Sequence, residues 1–583
     1  MSLVRNPFSE GSSNRTKQVK IIGLTVVFIM GIVSVSSAQS QDSTATAKKD
    51  KDKEKGKWGE IHGNLQFDAQ YYNPDSAIGA LPVPEKLLMN GFTNLIYTKG
   101  KFTVGVRYEN YLNALQGFDA RYKGQGITYR YASFDADFLS ITVGNFYEQF
   151  GSGMIMRAYE ERGLGFDNAI DGARVKAHVL GGVYLKAVIG KQRSFFTTGD
   201  GIVRGFDGEI AINETFKSLA DKGLRVTVGG SFVSKYQEDN DPDFELPENV
   251  GAWAVRGNFQ YKKWSLNGEY VNKINDPQAT NTLFVNGSQR RNFNPGSGLL
   301  ATLAYSQKGL GVVVSAKRID NMDFRSDRAA TGFNLNMNYL PALTRQHTYQ
   351  LAASLYPYAT QPNGEWAFQI DVNYRIPKKT KLGGKYGMSI ALNYSEVHGL
   401  KNTINAEGSG YTNTFFEAGE LYFRDINVEI IKKLSPKFKL NLLYLNIAYN
   451  KDVVQGLAGY GTIYSNIGIV DLTYSLNTRH ALRMEVQGLF TKDRADEGDW
   501  AMALLEYTWS PHLFVAASAQ YNYGNKVEEK RLVYPSIFIG YIHNATRVTL
   551  GYGRQRAGIL CVGGICRNIP ASNGISLSIT TSF

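Results

Sequence analysis

The chain has 583 residues, of which 43% are hydrophobic and 20% charged, and it carries 35 Tyr, 31 Phe, 60 Gly and a net charge of +12. That charge is modest for the length and partly confined to the first 57 residues, so no nucleic-acid partner is read from it. Past residue 38 no apolar run reaches the ~18 residues of a membrane helix, and helical periodicity is nearly absent, which excludes both a helical membrane protein and a soluble α/β enzyme.

In chain order, Arg15, Lys17 and Lys20 precede the apolar run from Ile21 to Met30 and the small residues Ser36, Ser37 and Ala38. This pattern predicts a secretory signal peptide over 1–38, cleaved after Ala38, with no cysteine there to carry a lipid anchor. Residues 39–57, including the charge run Lys48 to Lys55, are too polar to pack and predict a periplasmic tail, too short to fold as a plug.

From Trp58 to Phe583 the pattern becomes runs of roughly ten residues in which apolar side chains alternate with polar or small ones, as in strands of a transmembrane β-barrel. Phe102, Val104, Val106 and Tyr108 alternate with Thr103, Gly105, Arg107 and Glu109. Trp253, Val255, Gly257, Phe259 and Tyr261 do the same and are followed, after Lys262-Lys263, by Trp264, Leu266 and Tyr270 on one face of the next run. Counting all such runs predicts an all-β fold, a single large antiparallel transmembrane barrel of about 26 strands with no plug domain; 22 to 24 follow if a weak pair such as 331–339 and 346–355 is misread. Short and long links are expected to alternate without exception, long ones including 150–168, 274–296, 398–416 and 555–572. That places the short links and both termini in the periplasm of a Gram-negative cell. The last run, Ile575 to Phe583, ends in an aromatic residue, as do barrels recognised for outer-membrane assembly.

The link 150–168 mixes Met154, Ile155, Met156, Leu164 and Phe166 with charge. A purely solvent-facing loop needs none of those apolar residues, so an inward fold is expected, with Arg157, Glu160, Glu161, Arg162 and Asp167 setting the field of a constriction. A compact cap with self-paired charges is the alternative. On the polar strand faces, Arg107, Glu109, Arg174, Lys176, Arg256, Glu269, Arg483 and Glu485 are candidate lumen-lining residues, together with Asp207, Glu209, Lys317, Asp425 and Glu429; cross-strand pairing is the plainer role for any one of them. Cys561 and Cys566, the only cysteines, are expected to pair as a loop-stapling disulfide in an oxidising compartment. The seven histidines have no neighbouring ligands at metal spacing, and no nucleophile elbow, phosphate loop or metalloprotease helix appears. Neither a cofactor nor an enzyme activity is therefore expected.

Three stretches, Gly144 to Gly153, Tyr159 to Gly172, and Gly553 to Gly558 running into Cys561 to Cys566, resemble a family of large outer-membrane β-barrels of Bacteroidota that carries only an uncharacterised-domain label. The resemblance spans the barrel and implies compartment and fold, without assigned site residues. A barrel this wide and unplugged needs narrowing. Two functions are expected to compete: a porin-like passive channel for small solutes, constricted at 150–168, or a structural or accessory barrel of an outer-membrane secretion or assembly complex. The expected partners are outer-membrane lipid and, on the second reading, other envelope proteins.

Overall fold

Side chains alternate across a strand, and in the run from Phe102 to Tyr111 the alternation sorts by polarity. Phe102, Val104, Val106 and Tyr108 are exposed, whereas Arg107 and Glu109 are buried. Apolar outside and charge inside is what a wall facing lipid outwardly and water inwardly requires.

The computed structural model describes residues 58–216, 223–285, 288–562 and 565–583. The signal peptide and charged tail expected over 1–57 lie outside the described residues. Twenty-four strands form the wall: β1 (Glu60–Asn73), β2 (Leu87–Lys99), β3 (Phe102–Tyr111), β4 (Gly124–Asp135), β5 (Leu139–Phe146), β6 (Ile170–Leu180), β7 (Val183–Ser194), β8 (Thr197–Ala211), β9 (Leu224–Tyr236), β10 (Asn249–Tyr261), β11 (Trp264–Lys273) and β12 (Gly296–Gln307) make the first half. The second half is β13 (Leu310–Asp320), β14 (Gly364–Ile376), β15 (Met388–Ile404), β16 (Tyr411–Lys433), β17 (Phe438–Asn450), β18 (Thr462–Ser475), β19 (His480–Thr491), β20 (Trp500–Trp509), β21 (Leu513–Tyr521), β22 (Val533–His543), β23 (Thr546–Gln555) and β24 (Ser572–Ser582).

Each strand pairs antiparallel with its chain neighbours, and β1 closes on β24 from Asn64–Ser582 to Asn73–Asn573. Closure removes the unpaired edges that an open sheet exposes. Both ends of the wall reach the same rim, the one bearing the tight turns Lys262-Lys263 and Lys308-Gly309. Among the described residues no helix is long and apolar enough to cross a membrane.

The count is 24, inside the expected range, and the weak pair 331–355 is the difference. Its residues 331–339 form no strand of the wall, and Gln350–Leu355 is a short helix burying Leu351, Ala352 and Leu355. Its alternation is real, but Leu335 and Met337 point into the lumen rather than at lipid. Link lengths also depart from strict alternation. β7 and β8 run on until only Phe195 and Phe196 separate them, β15 and β16 extend as a hairpin across the expected loop 398–416, and at the short-turn rim 212–223 and 377–387 are longer links.

There is no separate plug domain among the described residues. Instead two connections of the wall fold inward, 147–169 between β5 and β6 and 321–363 between β13 and β14. Each covers an apolar patch on the inner wall. One core joins Phe150, Met154, Ile155 and Met156 to Val188, Val203, Val233, Ala252, Val271 and Ile319; the other joins Leu343, Leu351 and Tyr356 to Leu445, Ile467, Leu489 and Trp500.

Candidate functional site

The first connection leaves the wall at Phe146 and turns at once through Gly151, whose φ of 52° favours glycine. A Cβ there would come within 2.5 Å of a Glu269 carboxylate oxygen, and the bare backbone lets the Ser152 N–H donate to that carboxylate at 2.7 Å. Phe150, Met154 and Ile155 are then wholly buried. Such side chains stabilise by roughly 1.5–3 kcal/mol each on leaving water, which holds the segment against the wall. The inward fold expected for 150–168 is what the structure contains.

The charges of this connection are bound into the wall. Arg107 of β3 lies 2.7 Å from Glu160 and 2.6 Å from Asp167, donates to the Tyr147 hydroxyl at 3.1 Å, and contacts its neighbour Glu109 at 2.9 Å. Arg193 of β7 grips Glu109 at 2.9 and 2.6 Å and Asp167 at 2.5 Å. Arg162 donates to Glu160 at 2.6 Å and stacks on Phe92. Among the described residues Arg157 joins no carboxylate; its guanidinium sits between the rings of Tyr159 and Tyr339, 4.4 and 4.0 Å from their centroids. Glu161 is half-buried and, among the described residues, in no ion pair. Of the five charges expected to set the constriction, Glu160, Arg162 and Asp167 are thus brought together and Arg157 and Glu161 are not.

The lumen-facing candidates form further groups. Glu148, not foreseen, gathers Lys176 at 2.7 Å, Lys186 at 3.2 Å and Arg174 at 3.5 Å. Arg256 reaches Asp207 at 2.7 Å and Glu209 at 2.9 Å, so Glu269, its cross-strand partner in register, is left to hold Ser152. Arg483 pairs with Asp471, Glu485 and, at 3.8 Å, Glu506.

The second connection is pinned by charge at several heights. Lys235 and Arg328 meet on Asp276 at 2.7 and 3.0 Å, Lys273 donates to the Asp323 carbonyl at 2.7 Å, and Lys317, paired with Glu365 of the wall, donates to the Thr360 hydroxyl at 2.8 Å. Farther along, Arg345 binds Asn427 and Glu429, His347 binds Asp425 at 2.6 Å, and Tyr349 donates to Asp471. The two connections also bond to each other: the Arg157 N–H donates to the Met337 carbonyl and the Tyr339 N–H to that of Gly153.

One sector of the inner wall lies beneath neither apolar core. From β21 through β24 to β2 it presents Ser518, Ser536, Thr549, Ser576, Ser578, Gln66, Asp68, Gln70 and Asn94, all half-exposed. They bond along the wall, Ser518 with Ser536 at 2.8 Å, Ser578 to Asp68 at 2.6 Å and Gln66 to Asp68 at 2.8 Å.

At the far rim, Gly558–Val562 and Ile565–Ile569 form a hairpin that sets Cys561 opposite Cys566. Cys566 is disulfide-bonded, and Cys561 is the only other cysteine of the chain. Arg567 of this hairpin lies 4.0 Å over Phe118. Nearby, burial raises the Glu497 carboxyl above the usual range against the pull of Arg556. Among the described residues no group of His, Cys, Asp and Glu is placed to hold a metal.

A family profile described as "Family of unknown function (DUF6029)" matches residues 18–583. No curated protein matches the chain. Solved structures similar to it include the siderophore receptor PirA from Pseudomonas aeruginosa, at 10% identity over 90% of this chain and 80% of that one with a TM-score of 0.40. An E. coli P pilus tip assembly intermediate, PapC-PapD-PapK-PapG, is 10% identical over 90% of this chain and 61% of that one, TM-score 0.46. A mutant Rh. blastica porin is 13% identical over 62% of this chain and 100% of that one, TM-score 0.25. These likenesses are too distant to carry a residue's role across.

Proposed function

The chain belongs to the DUF6029 family of unknown function, and from that footing we propose that it is a porin-like passive channel of the outer membrane for small polar solutes. Its long connections face outward, and 147–169 and 321–363 reduce a wide barrel to a narrow route. The observation that carries this reading is the sector from β21 to β2, whose inward Ser, Thr, Asn, Gln and Asp side chains are half-exposed and stand clear of the two apolar cores that cover much of the inner wall elsewhere. Small hydroxyls and amides exchange hydrogen bonds with a passing hydrated solute and hold none of them firmly.

The two apolar cores packed inside the lumen favour a second reading, a structural barrel within an envelope complex. Planar bilayers separate the two. Purified protein giving discrete, reproducible single-channel steps supports the channel. Protein that inserts yet stays silent, and co-purifies at fixed stoichiometry with another envelope protein, supports the structural barrel.

A further inference from the structure

Charged side chains on the lipid-facing side of a barrel are costly, roughly 2–4 kcal/mol for Arg or Lys at mid-membrane and falling towards zero at the interface. The outer face of β4 to β8 nevertheless carries Arg130, Asp171, Lys191 and Arg204. Their outward direction follows from their neighbours. On β7, Val188 packs in the inner core while Ile189 is exposed, so Lys191 shares the outward side with Ile189. On β8, Val203 is in the same inner core and Phe206 is exposed, so Arg204 faces out with Phe206. On β4, Arg130 pairs in register with the exposed Val106.

Register brings the four together. Asp171 lies opposite Lys191, and Ile189 lies opposite Arg204, which makes Lys191 and Arg204 diagonal neighbours, about 7–8 Å apart in such pairs. Asp171 is engaged by Arg130 at 3.3 Å. Among the described residues Lys191 is in no ion pair, and Arg204 donates to the Asn249 amide oxygen at 2.8 Å and meets no carboxylate. Three cations therefore stand against one carboxylate. Below them the same strands present apolar side chains, Val143, Ile189 and Phe206 among them. Counted up β6 from Leu180 and up β7 from Val183, the patch sits roughly 20 Å above the short-turn rim, near the upper edge of an apolar band about 25 Å tall.

A cationic patch directly above an apolar surface is the complement of one amphiphile, acyl chains below and anionic phosphate above. We propose that Lys191 and Arg204, with Arg130, form a site for the phosphate groups of an acylated, phosphorylated lipid of the outer leaflet. The site anchors the barrel's depth and orientation in the membrane. This rests on the outer-membrane placement proposed above and not on conduction.

The test uses the full-length barrel in detergent with lipid A carrying both phosphates, dephosphorylated lipid A, and inorganic phosphate as probes, bound species being read by native mass spectrometry. Wild type is expected to retain the phosphorylated lipid at least tenfold better than the dephosphorylated one. The K191Q/R204Q double variant, at one half-buried and one exposed position, should lose that preference, and Lys191→Arg with Arg204→Lys should restore it. Equal retention of both lipids by wild type, an unaffected K191Q/R204Q variant, or displacement of the lipid by millimolar inorganic phosphate would each overturn the site. Insertion of wild type into lipid vesicles, followed separately, keeps the two failures apart: a barrel that does not insert refutes the membrane placement, whereas one that inserts without phosphate preference refutes only the patch.

Discussion

Arg107 and Arg193 occupy the same buried network, yet only Arg107 stands where alternation along its strand points it inward. Arg193 shares parity with the outward Lys191, but it lies past Ile170, where β6 begins and the chain of the first connection passes behind it; its N–H already donates to the Ala169 carbonyl. Period-two alternation holds while the register is kept and fails at an irregularity such as the one between Thr198 and Ile202, opposite Arg193 and Lys191. That is why Arg107 and Glu109 were legible in the sequence and Arg193, Glu148 and Tyr147 were not. Arg193→Met would leave Glu109 and Asp167 in a dry setting with one cation fewer. Removing one partner of a buried pair costs about 3–5 kcal/mol, so a marked drop in the urea midpoint of unfolding is expected, and an unchanged midpoint would show the network to be dispensable. Glu497 has a carboxyl raised by burial, so its neutral form is favoured in the folded state. The stability it adds is complete below the unfolded pKa and is lost as pH rises through the folded one. Glu497→Gln is therefore expected to show a smaller fall in thermal midpoint than wild type between pH 4 and pH 8; identical profiles would contradict the shift.

The two inward connections differ in how they announce themselves. In 150–168, Met154, Ile155 and Met156 stand consecutively beside glycines, a run with no place on a solvent-facing loop, and the inward fold follows. In 331–355 the apolar residues recur at every second position, as they do in a lipid-facing strand. Alternation records an apolar partner on one side without saying whether that partner is lipid or the inner wall. The hydrogen bonds between the two connections make them one barrier. Deleting 321–363 with a short Gly-Ser bridge should raise conductance severalfold in planar bilayers, because it uncovers the inner face of β17 to β20 as well as the crossing itself. No rise would mean that the connection does not bound the route.

Across the whole molecule, the strand pattern made the barrel readable to within one hairpin. Which sector of the interior stayed polar and uncovered was not readable, since it depends on where connections land and not on any strand's own residues. The seam between β1 and β24 adds a condition on assembly. Ser578 donates to Asp68 across 510 positions of the chain, so the wall stays open until the last strand is made. Over β7 to β13 that open sheet would present apolar side chains on both faces. Connections that tuck before the cylinder shuts cover the inner apolar faces from the start; any still outside can enter only by the rim they hang from. The stretch before closure is thus the aggregation-prone stage of this chain's life, when an unpaired sheet edge and uncovered apolar faces are presented together.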